Sequence, residues 1–147
     1  MQFQLGDVQH IIQLAVAPVF LLTGVGTNLT VLTNRLARII DRSRILEERL
    51  RGEADPRPEY LAEIDVLYRR SYLINRAITL ATACALLVCI VIASLFVGSA
   101  LGAKFDRFIA TLFIVAMLSL IGSFIYLLRE IFVATRTMSM QHLGRYK

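Results

Sequence analysis

Three stretches of the chain, residues 8–34, 77–103 and 108–128, contain no Asp, Glu, Lys or Arg, and the charged residues gather in the segments between and after them. A bilayer's hydrocarbon core is about 30 Å thick and a helix rises about 1.5 Å per residue, so roughly 20 apolar residues make one crossing. All three stretches reach that length. A soluble core helix this long would carry a polar face for water, whereas the second and third stretches offer only scattered Thr, Ser and Cys. The pattern predicts an all-α protein with three transmembrane helices, the first and second extended into a cytoplasmic antiparallel helical hairpin. Read as a single membrane domain over 1–147, it has spans at about 8–33, 77–101 and 108–128, the hairpin at about 34–76 and a cytoplasmic tail at 129–147.

Neither Pro nor Gly interrupts 34–50, so one continuous helix is expected over 8–51, with Asp7 as a plausible N-cap. Gly52 and the Glu53-Ala-Asp-Pro-Arg-Pro58 run then mark a turn, and Pro56 or Pro58 can open the next helix because proline is tolerated in a first turn. Leu36, Ile39, Ser43, Leu46 and Leu50 on one arm, and Leu61, Ile64, Tyr68, Ser71 and Asn75 on the other, follow a three-four spacing. These seams are expected to zip as a short antiparallel coiled coil, while Arg42, Glu47, Arg49 and Glu53 form weak surface pairs. Asp106 can cap the third helix after a tight loop. Ser94, Gly98 and Gly102, and separately Ser119 and Ser123, recur at four-residue spacing and allow close helix approach in lipid.

The first span carries two stripes. Ile11, Ala15, Pro18, Leu22, Val25, Leu29 and Leu32 form an apolar seam that continues in register into Leu36 and Ile39. Roughly 160 to 200° away lies a largely polar stripe of Gln9, Gln13, Val16, Phe20, Thr23, Thr27, Thr30, Asn34 and Asp41. Three readings fit that stripe: hydroxyls and amides bonded to carbonyls or neighbouring spans, the lining of an aqueous path among several subunits, or a docking face for another membrane protein. Pro18 and the Gly24-Val-Gly26 run predict a kink or close crossing near mid-membrane. Asn28 needs a partner there, either to fix helix register or as part of a substrate or ion site.

Composition adds direction to this picture. The chain is 56% hydrophobic and 18% charged, with a formal net charge of +5. Arginines crowd 35–76, and further basic residues follow in 129–147. The 102–107 loop has only Lys104 and Arg107, and the first seven residues have none. Positive charge marks the cytoplasmic side, which predicts an N-terminus outside and a C-terminus inside. Without a basic start or a small-residue cleavage site, the first span is expected to stay in the mature protein rather than act as a signal peptide. The spans make anionic lipid headgroups, rather than nucleic acid, the natural partner of this charge. Cys84 and Cys89 are spaced to point in different directions and are expected to pack, with no metal and no cofactor.

The runs Val8-Gln-His-Ile-Ile-Gln-Leu-Ala-Val-Ala-Pro-Val-Phe-Leu-Leu-Thr-Gly24 and Leu32-Thr-Asn-Arg-Leu-Ala-Arg-Ile-Ile-Asp-Arg42, with Leu67-Tyr-Arg-Arg70 and Ile74-Asn-Arg-Ala-Ile78, resemble a bacterial membrane family known as domain of unknown function 2721. The resemblance covers nearly the whole chain, implies a compact multi-span membrane protein, and supplies no catalytic residues to carry over. Its motif residues also have a physical reading. Arg35 and Arg38 end the first span while Arg69, Arg70 and Arg76 approach the second, so the hairpin gathers them into an inner basic collar with Asp41 as a nearby counter-charge. That collar fits topology and lipid anchoring, or concentration of ions at a vestibule.

Two functional expectations follow. One is a homo-oligomeric pore in the bacterial inner membrane, lined by Gln9, Gln13, Thr23, Thr27, Thr30 and Asn34. The other is a non-catalytic scaffold or accessory subunit recruiting partners through the hairpin. An enzyme is not expected, because the spans lack a carboxylate, His10 and His142 fall on opposite membrane sides, and Glu130 reads as an anchor pair with Arg129. The tail either extends the third helix or lies along the membrane surface.

Overall fold

A computed structural model describes residues 5–52, 58–101 and 106–144. Side chains are described within 9–135, apart from residue 11, residues 53–57, residue 59 and residues 102–105. Among these residues the chain forms three helices: α1 (Leu5–Gly52), α2 (Pro58–Leu101) and α3 (Asp106–Gly144). Each is long and apolar enough to cross a membrane, within Ile12–Gly52, Tyr60–Leu101 and Asp106–Thr135. The protein is an all-helical, multi-pass membrane protein.

Local sequence accounts for most of the boundaries. Gly52 closes α1, and Pro58 opens α2, where a missing N–H costs nothing because first-turn amides have no intrahelical acceptor. The turn expected at 53–57 and the loop residues Gly102 and Lys104 lie outside the described residues. Asp106 stands first in α3. α1 begins at Leu5, ahead of the Asp7 expected to cap it, and α3 runs on through the tail to Gly144, so the tail continues the helix. Pro18 sits inside α1 without ending it.

The chain divides into two compact units. In the first, comprising 1–29 and 80–122, the buried positions are Ala15, Pro18, Val25 and Asn28 of α1, Ala81, Cys84, Val88, Val91 and Gly98 of α2, and Ala116 and Leu120 of α3. Small residues predominate on α2 and α3, and the Ser119 hydroxyl donates to the Leu80 carbonyl at 2.8 Å. A side chain bonding directly to another helix's backbone requires the close approach that small residues permit in lipid. Gly122 belongs to the same contact, since a Cβ there would lie 3.1 Å from Leu80 Cδ1. The close crossing expected at Gly24 and Gly26 is not formed among the described residues. A Cβ at either would meet nothing within 4 Å, because both lie on the outward side of α1.

The second unit, 30–79 with 123–147, holds the hairpin arms and the last part of α3. Its buried side chains include Leu32, Ile39 and Leu46 of α1, Leu67, Ile74 and Ala77 of α2, and Ser123 and Glu130 of α3. The α1 seam is the expected one. On α2 the expected seam is displaced by one residue: Leu61, Tyr68 and Asn75 are exposed, and the core positions are Leu67 and Ile74. The reason is chemical. The inward-turned face of α2 also carries Glu63 and Arg70, whose charges are matched across the interface, so ranking faces by greasiness selects the neighbouring one. Ser123 donates to the Ala77 carbonyl at 2.8 Å. Arg42 pairs with Glu63 at 2.8 Å and the Tyr68 hydroxyl donates to Glu47 at 3.2 Å, which brings the arms side by side; Arg35, before Arg42 on α1, and Arg70, after Glu63 on α2, both meet Glu130, so the arms run antiparallel. Arg42 thus finds its carboxylate on the opposite arm rather than on its own.

Candidate functional site

The polar stripe of α1 faces outward. Gln9, Gln13, Thr23, Thr27, Thr30 and Asn34 are all exposed, as are Val16 and Phe20 between them. The buried α1 positions Pro18, Val25, Leu32, Ile39 and Leu46 recur every seven residues on the other side. The Thr27 hydroxyl donates to the Thr23 carbonyl at 3.1 Å, and Thr33 donates to Thr30 at the same distance. Hydroxyls bonded back to their own helix are stable in an apolar surrounding, yet each oxygen keeps acceptor capacity directed outward. The first of the three readings of the stripe therefore applies to Thr27. Asn28 does not belong to the stripe; it is buried beside the seam at 8% exposure.

The expected basic collar separates into two kinds of arginine. Arg38 and Arg69 are exposed. Arg76 lies over the Tyr72 ring, 5.2 Å from its centroid, and its Nε donates to the Tyr72 hydroxyl at 3.1 Å. Arg35 and Arg70 instead turn onto Glu130, which is 0% exposed. Arg70 donates through Nε and Nη2 to Oε1 at 2.9 and 2.8 Å, and Arg35 donates through Nη1 to Oε2 at 2.9 Å. One buried carboxylate on α3 is thus held by one guanidinium from α1 and one from α2.

This arrangement corrects two expectations. Glu130 is not a surface anchor beside Arg129, which is itself exposed. Asp41 is exposed and forms no ion pair among the described residues, so Glu130 is the counter-charge of the collar. A carboxylate removed from water is tolerated only when its charge is matched and its lone pairs are filled. Three charge-assisted hydrogen bonds meet that need. A signal for it did exist in the sequence: Ala116, Leu120, Ser123 and Glu130 share one three-four register on α3, so the acid falls on the face that carries the small packing residues.

Beside the cluster is a cavity of about 290 Å³ lined by Arg35, Arg38, Ile39, Arg42, Leu67 and Arg70. The first unit contains apolar cavities instead, one of about 470 Å³ against Ile90, Ala93, Ser94, Val97 and Phe108 and one of about 280 Å³ between α1 and α2 near Phe20 and Phe96. Cys84 is buried, Cys89 is exposed, and neither is in a disulfide.

The family model described as "Protein of unknown function (DUF2721)" matches residues 15–140. The chain belongs to this family. The DUF2721 match takes in the stripe from Val16 onward, every collar arginine and Glu130, while Gln9 and Gln13 precede it. No curated protein and no solved structure matches the chain.

Proposed function

We propose that this DUF2721 protein is a homo-oligomeric pore of the bacterial cytoplasmic membrane, in which several copies gather with α1 inward and the stripe lines an aqueous path. The observation that carries this reading is the outward exposure of Gln9, Gln13, Thr23, Thr27, Thr30 and Asn34 on the face of α1 opposite its buried seam. Hydroxyls and amides on an outer face gain nothing from acyl chains, whereas a closed ring of subunits would give them water or one another. α1 is also the least apolar of the three spans.

The clustering of arginine supports an orientation with the hairpin and C-terminus in the cytoplasm and the N-terminus outside. The exposed arginines of the collar then meet anionic headgroups at the inner surface. The role is non-catalytic and needs no cofactor, and nucleic acid is not a partner. Purified protein reconstituted in planar bilayers should conduct, and Thr27→Leu or Thr27→Arg should alter the unitary conductance. A monodisperse monomer without conductance would remove the proposal.

One observation favours a second reading, a scaffold or accessory subunit. The hairpin exposes Ile40, Ile45, Leu61 and Tyr68 beyond the charge-free stretch of α1, where a helical partner could cover them. Crosslinking in native membranes would then recover a stoichiometric second protein, and recovery of self-contacts alone would count against it.

A further inference from the structure

We propose that the arginine-lined cavity of the second unit is a discrete binding site for a phosphate monoester dianion, carried either by a membrane lipid headgroup or by a soluble phosphate. Arg35, Arg38, Arg42 and Arg70 line it, and the carboxylates bonded to them are Glu130 and Glu63. Four guanidiniums set against two carboxylates leave two uncompensated positive charges, which matches a monoester dianion better than a singly charged diester.

The donor geometry points the same way. Arg70 uses Nε and Nη2 on Glu130 and keeps Nη1; Arg35 uses Nη1 and keeps Nε and Nη2. Arg42 places Nε and Nη2 on Glu63 Oε1, at 2.9 and 2.8 Å, and also keeps Nη1. Arg38 has no hydrogen bond or ion pair among the described residues, so its planar fork of donors is entirely unused. The two carboxylates thus fix three guanidiniums and leave each with further donors that a ligand can use. Such a cluster recognises the several acceptor oxygens of phosphate, and Arg35, Arg42 and Arg70, already held by carboxylates, have little side-chain entropy left to lose on binding.

Size and surroundings agree. The cavity holds about 290 Å³, and a water molecule takes about 30 Å³ in the liquid, so a phosphate group fits with some of its hydration. Ile39 and Leu67 are 4% and 6% exposed and form an apolar part of the wall, which lowers the local dielectric and strengthens charge pairing. The site also lies where the charge-free stretch of α1 ends and arginine begins, the level at which phosphate headgroups sit under the proposed topology.

This inference deepens the headgroup reading of the collar but stands apart from the pore reading, and its readout involves no conductance. In the first arm, full-length protein is exchanged into phosphatidylcholine nanodiscs containing either phosphatidic acid, a monoester, or phosphatidylglycerol, a diester, and retained lipid is measured by native mass spectrometry. In the second, inorganic phosphate is titrated against protein in pure phosphatidylcholine nanodiscs by thermal shift, with chloride at equal ionic strength as control. Preference for phosphatidic acid assigns a lipid, and saturable stabilisation by phosphate assigns a soluble anion. In the arm that binds, Arg38→Gln should weaken binding about tenfold or more, the loss of a charged hydrogen-bond partner. Arg44→Gln, at an exposed position on the same arm outside the cavity lining, should leave it unchanged. Both variants should melt like the native protein without ligand, since neither side chain is buried. Equal losses in the two variants would indicate a diffuse basic surface and overturn the site, as would binding in neither arm.

Discussion

Removing Arg70 should destabilise this protein more than removing the acid it binds. Glu130 is 0% exposed, whereas the side chains of Arg70 and Arg35 are 25% and 40% exposed. In Arg70→Met, two of the three hydrogen bonds vanish and a fully buried carboxylate remains with Arg35 alone; breaking a buried pair in this way costs about 3–5 kcal/mol. In Glu130→Gln, an acceptor oxygen stays in place and both guanidiniums can turn toward water, so the loss is the difference between charged and neutral hydrogen bonds, about 1–3 kcal/mol. The double variant Arg70→Met/Glu130→Gln buries no unpaired carboxylate and should be more stable than Arg70→Met alone, a non-additivity expected of side chains in direct contact. Unfolding in detergent micelles, followed by far-ultraviolet circular dichroism against temperature or added denaturing detergent, measures all three. If Glu130→Gln loses as much as Arg70→Met, or if the double variant loses the sum of its parts, the acid is not the buried centre of the cluster.

The remaining predictions concern packing. Leu67→Ala should cost about 2–5 kcal/mol and Tyr68→Ala well under half of that, because Leu67 is 6% and Tyr68 61% exposed; equal losses would restore the displaced seam. Gly122→Ala should be nearly neutral, since the atom it meets at 3.1 Å is the end of the flexible Leu80 side chain, while Gly122→Leu should cost about 1–3 kcal/mol by overpacking. Both pairs are read by the same unfolding measurements, and a well-tolerated Gly122→Leu would show that α2 and α3 are not tightly apposed there. The Thr27 and Arg38 substitutions test pore and phosphate site separately, one by current and the other by binding.

Much of the architecture is a local property and was legible residue by residue. The length of each charge-free stretch determines whether a helix can cross a bilayer, and helix punctuation by Gly52 and Pro58 acts within a turn or two. The α1 seam was equally readable, because its buried positions Pro18, Val25, Leu32, Ile39 and Leu46 are apolar and recur every seven residues. What the sequence left open was decided by partners far along the chain. Arg70 and Arg35 meet Glu130 across 60 and 95 residues. No pattern within one helix reveals that two of the collar's arginines turn inward while Arg38 and Arg69 stay outside. For the same reason the α2 seam was misplaced by one residue: Glu63 and Arg70 look like surface residues until Arg42 and Glu130 supply the opposite charges. Hydrophobicity is carried by each residue alone and shows in the sequence, whereas a buried charge becomes tolerable only through its neighbours in space, which tertiary packing alone brings together.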